Sequence, residues 1–115
     1  MAIRVLVVDD HGVVRKGLRM YLGADPDFEI VGEARDGHEA VALAHELKPQ
    51  VVLMDLLMPV MDGISATAVI RKELPEIEVI ALTSVLEDNA VIEAIRAGAI
   101  AVSYTHLTLP TTPYV

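Results

Sequence analysis

Three carboxylates stand out by position. Asp9 and Asp10 are adjacent and close the apolar run IRVLVV, and Asp55 sits inside the apolar run VVLMDLLMP. An unpaired charge among Leu and Met costs several kcal/mol, so Asp55 marks a site rather than a casual surface acid. If the runs holding these acids are neighbouring strands, all three converge on one crevice. They would then repel one another unless a cation compensates. A hard divalent ion suits them, and Mg²⁺ fits a site of few carboxylates completed by water and a phosphate. For Asp9 or Asp10 taken singly, capping the next helix is the competing role.

The elements that must carry these acids alternate regularly. Residues 3–8 read as a strand covered on both faces, because continuous apolar character suits a parallel sheet. Val13, Val14, Leu18, Tyr21 and Leu22 recur at helical spacing, until Gly23 and Asp25-Pro26-Asp27 break the pattern. Strands follow at 28–34, 50–57 and 77–82, with a fifth starting over 99–102. Helices fall at 37–47, 64–74 and 87–97, the last ended by Gly98. This βα alternation predicts an α/β fold with a flavodoxin-like, doubly wound parallel sheet in strand order 2-1-3-4-5. Its fifth strand is shortened and its fifth helix is missing. Ligands bind at the carboxyl ends of such strands, where the order reverses, and the three acids lie there.

Composition bounds the function. The 115 residues carry 9 Lys and Arg against 17 Asp and Glu, a formal charge of −8, which argues against direct nucleic-acid binding by this chain. With no cysteine there is neither disulfide nor thiolate metal site. Mean hydropathy is high, at +0.47, yet charged residues interrupt every apolar stretch before the roughly 18 residues of a spanning helix. No signal peptide is evident, so a cytoplasmic protein without membrane attachment is expected. His11, His38, His45 and His106 show no metal-ligand spacing; His38 and His45 read as solvated surface, and His11 as helix-terminal surface. Arg15, Lys16 and Arg19 read as a solvated helix face. No phosphate-cradling glycine motif occurs.

Val7-Val8-Asp9-Asp10-His11, Asp55-Leu56-Leu57-Met58-Pro59-Val60-Met61-Asp62-Gly63 and Leu82-Thr83-Ser84, in that order, resemble a response-regulator receiver domain of two-component systems. Asp10, His11, Arg15, Gly17 and Leu18 resemble its NarL/FixJ (LuxR-type) branch. The resemblance covers about residues 1–102 and implies that Asp55 is the phosphoacceptor for a sensor histidine kinase. Asp9, Asp10, Asp55 and the backbone carbonyl of Leu57 would then hold Mg²⁺, Thr83 would be the switch hydroxyl, and Met58-Pro59 and Asp62-Gly63 would shape the adjoining loop. The implied protein is a phosphoprotein of phosphorelay signalling that controls a transcriptional output domain not present here. It is not an enzyme beyond Mg²⁺-dependent self-phosphorylation and self-dephosphorylation.

The chain departs from the family at the fifth strand. The expected aromatic falls on Val102, with Tyr104 two residues on, and the expected lysine falls on Thr105; no lysine follows Lys72. Residues 103–115 contain no Lys, Arg, Asp or Glu and include Pro110 and Pro113, which forbid a helix interior. They form a non-family tail, expected to be a frameshift or translated adapter sequence. Without the fifth helix, an apolar strip beside the first helix should be exposed, giving marginal stability or self-association, with a homodimer as one outcome. The competing reading is a receiver fragment that cannot switch and acts only as an interaction module. An Mg²⁺-dependent phosphohydrolase fits poorly, because such enzymes space their two acids two residues apart.

Overall fold

The computed structural model of the chain describes residues 2–55, 61–83 and 101–104. Its elements run β1 (Ile3–Val8), α1 (Gly12–Gly23), β2 (Phe28–Ala34), α2 (Gly37–Leu47), β3 (Val51–Asp55), α3 (Gly63–Glu73), β4 (Glu78–Thr83) and β5 (Ala101–Tyr104). All strand pairs are parallel, in the order β2-β1-β3-β4-β5. This is the expected flavodoxin-like sheet. The helix expected at 87–97, and any element after Tyr104, lie outside the described residues.

The sheet is buried where the sequence is continuously apolar. Val5, Leu6, Val7 and Val8 are all nearly inaccessible, as strands covered on both faces require. Leu6, Val8, Val52, Met54 and Val79 pack in one cluster with Ala40 and Ala44 of α2 and Ala66 and Ile70 of α3. The small alanines let both helices lie close to the strands.

Helix starts explain two further acids. Asp36 accepts from the Glu39 amide at 2.8 Å and Asp62 from the Ser65 amide at 2.7 Å, so each satisfies an amide that the helix itself leaves unpaired. Neither Asp9 nor Asp10 caps α1. His11 occupies that position and makes no side-chain capping bond.

Two expectations need correction. The fifth strand runs on through Ser103 and Tyr104, two residues past the point where the family sequence is expected to end. Its bounds follow its pairing with β4, from Ile80↔Ala101 to Thr83↔Tyr104, a partner that local pattern cannot register. Arg15 and Arg19 are not a free solvated face either, because both pair with Glu33 on β2, at 3.2 Å and 2.8 Å. The exposed apolar strip on α1 is present. None of that helix's residues is buried, and Val13, Met20 and Tyr21 stand exposed.

Candidate phosphoacceptor and metal site

Register brings the acids together. β1 pairs with β3 from Val5↔Val51 to Val8↔Met54. One further step along both strands sets Asp9 level with Asp55. The Asp9 amide donates to the Ala34 carbonyl at 3.0 Å, which fixes the end of β1 against β2 as well. One ligand atom from each of Asp9, Asp10, His11 and Asp55 lies within 4.8 Å of all the others.

His11 is exposed at the start of α1, as expected from the sequence, and it also joins the acids. Asp9 Oδ1 accepts from the His11 backbone amide at 2.8 Å and lies 3.1 Å from its Nδ1. The same ring nitrogen is 3.0 Å from Asp10 Oδ1. That second contact is electrostatic, since Asp10 Oδ1 is buried and accepts no hydrogen bond. The His11 pKa is raised above 6.5, first by the Asp9 hydrogen bond and then by the charges of Asp10 and Asp9, against an opposing desolvation that exceeds the further push from Asp55. The clue in the sequence was adjacency: a residue next to two acids at a strand end shares their turn.

The residues fit a divalent cation. A buried carboxylate oxygen that accepts no hydrogen bond is costly, and a metal ion satisfies it without a proton. Three carboxylates give the hard oxygen donors that Mg²⁺ takes, leaving positions for water and phosphate. Leu57, Met58 and Pro59 lie outside the described residues. β4 ends at Thr83, and Leu82 pairs with Asp55 across the β3–β4 ladder, so the backbone of Thr83 adjoins the same strand ends.

This strand-end acid cluster on a β2-β1-β3-β4-β5 sheet defines a receiver. Residues 5–102 match the response regulator receiver domain family, and the chain belongs to it. It is similar to the response regulator protein VraR of Staphylococcus aureus, with 55% identity over 98 residues, which are 85% of this chain and 47% of that protein. The chain thus spans about half the length of the curated relatives it matches. Among solved structures it is similar to the response regulator domain of Thermotoga maritima CheB, at 44% identity and TM-score 0.83, covering 89% of this chain and 77% of that one. It is also similar to the receiver domain of the putative response regulator NarL from Mycobacterium tuberculosis, at 33% identity and TM-score 0.86, covering 90% and 83%. The chain is a signalling module of the two-component type with LuxR-type relatives. Among the described residues, no helix is long and apolar enough to cross a membrane.

Proposed function

We propose that this chain is the phosphoacceptor receiver of a two-component system, taking a phosphoryl group on Asp55 from a sensor histidine kinase in the cytoplasm. The observation that carries the reading is the convergence of Asp9, Asp10 and Asp55 at one sheet end. In the transfer, an Asp55 carboxylate oxygen attacks phosphorus and the phosphorus–nitrogen bond of the phosphohistidine breaks. The imidazole leaves with the electron pair and takes up a proton. Hydrolysis of the resulting acyl phosphate returns Asp55 and phosphate, so the module acts as a timer.

Asp9, Asp10, Asp55 and the Leu57 carbonyl would hold Mg²⁺, which supplies charge neutralisation at the phosphoryl oxygens when bound. The Thr83 hydroxyl donates to a phosphoryl oxygen, and the roughly two added negative charges bias a two-state element that an output domain reads. Residues 1–102 carry the receiver sequence in this reading and 103–115 do not, although Ser103 and Tyr104 extend its last strand. The chain itself does not grip nucleic acid, and transcriptional control is exerted by a domain outside it.

Intact mass after incubation with phosphoramidate tests this. A single phosphoryl adduct that needs Mg²⁺ and disappears in Asp55→Asn is expected. An adduct that persists in Asp55→Asn would overturn the assignment. One observation favours a second reading, an interaction module that does not switch: Thr105 stands where the family places its lysine. An adduct that leaves the oligomeric state unchanged supports that reading.

A further inference from the structure

The two peptide groups of Asp9 are held from two different elements. Its amide donates to Ala34 on β2, and its carbonyl accepts from Arg15 Nη1 at 2.7 Å. Arg15 lies on α1, with its own amide bonded to the His11 carbonyl at 3.1 Å. Its Nε donates to Glu33 Oε1 at 3.2 Å, while Glu33 Oε2 takes Arg19 Nη1 at 2.8 Å. The Arg15 side chain is mostly shielded, 17% exposed against 66% for that of Arg19. Its position between a backbone carbonyl and a carboxylate uses the planar fork that a lysine ammonium lacks.

The Asp9 carbonyl belongs to the peptide plane that links Asp9 to Asp10. That plane is rigid, so anchoring its oxygen fixes the direction in which Asp10 leaves the strand. We infer that Arg15 is a positioning residue for the acid cluster: by holding the Asp9–Asp10 peptide against Glu33, it sets the cluster's affinity for a divalent cation. Arg15 touches neither Asp9's nor Asp10's carboxylate in the hydrogen bonds described, so its influence passes through the backbone. The inference rests on the phosphoacceptor reading above. Groups that orient metal ligands typically change metal affinity by about 10- to 100-fold when replaced.

The test is the Mg²⁺ concentration for half-maximal adduct formation with phosphoramidate, together with the Mg²⁺ dissociation constant from amide shifts of residues 9–11. Arg15→Gln should raise both by about 10-fold, with the rate at saturating Mg²⁺ recovering towards the unmodified protein's. Arg15→Lys, which keeps the charge and the helical propensity, should fall between, and it keeps the measurement open if Arg15→Gln folds poorly. Arg19→Gln, which loses only a Glu33 contact, should change neither value. Unaltered Mg²⁺ dependence in the Arg15 variants would overturn the positioning role while leaving the phosphoacceptor reading intact. An unsubstituted chain that shows no Mg²⁺ dependence at all would overturn both.

Discussion

The two faces of the sheet are built differently. On one, α2 and α3 bury Ala40, Ala44, Ala66 and Ile70 completely, and each helix begins at an aspartate whose carboxylate accepts from the first turn. On the other, α1 buries none of its residues and begins at His11, with no side-chain capping bond. A groove beside it is lined by Val13, Val14, Gly17, Leu18 and Tyr21. Helices α2 and α3 are held by packing of fully buried residues, whereas α1 lies on the sheet through half-buried residues and adds the Arg15 and Arg19 pairs with Glu33. Among the described residues the face under α2 and α3 is therefore the more completely buried, and the polar links of α1 lie next to the acid cluster.

The largest expected effect tests that division directly. Ile70→Ala leaves a hole in the packed face and should cost about 2–5 kcal/mol. Val13→Ala, on the exposed strip, should stay within about 0.5 kcal/mol. Urea unfolding midpoints of the two variants check the difference, and equal losses would abolish it.

Next comes the contact between α2 and the segment leading into α3. Gly37 donates its amide to the Met61 carbonyl at 3.0 Å, and a Cβ at Gly37 would come within 2.5 Å of that same oxygen. Gly37→Ala should cost about 1–3 kcal/mol by overpacking. It should also shift the Met61 and Asp62 amide resonances, which a purely local change in helix propensity would leave in place.

Capping gives a smaller effect. Asp62→Ala removes the acceptor of the Ser65 amide and should cost about 1 kcal/mol. His11→Ala at the start of α1 removes no such bond, and its loss in the same thermal unfolding series should be the lesser. The reverse order would show that α1 is capped in solution by a contact absent from this structure.

The smallest effect is the pH response of His11, the residue that precedes α1. Because the folded state raises the His11 pKa above 6.5, folding favours the protonated ring. The stabilisation is present in full below pH 6.5 and is lost as pH rises through the raised value. An NMR titration of the imidazole should therefore give a midpoint above 6.5 in metal-free protein. Asp9→Asn should bring it down, since the Asp9 hydrogen bond is the main cause.

Much of this was legible in the residues. The apolar runs of β1 and β3 gave a parallel sheet because strands buried on both faces need no alternation, and the acids at their ends gave the site. Other features were not. Arg15 looks like any basic residue on a helix surface, because its main partner is a backbone carbonyl, which every residue possesses and no sequence distinguishes. Asp36 and Asp62 precede glycines and look like loop acids until the helix start is placed. The continuation of β5 through Tyr104 came from pairing with β4, a long-range choice that local propensity does not encode.

By itself, then, the sequence determined which chemistry was available and in what order along the chain, because side-chain type and hydrophobic period are local properties. The tertiary structure decided which groups meet. Strand register set Asp9 level with Asp55, the turn after β1 drew His11 to both acids, and α1 laid Arg15 across the Asp9 carbonyl. The first depends on pairing between segments far apart in the chain, where a shift of one residue would turn an inward carboxylate to the opposite face; the other two depend on how the turn and α1 settle against the sheet so formed.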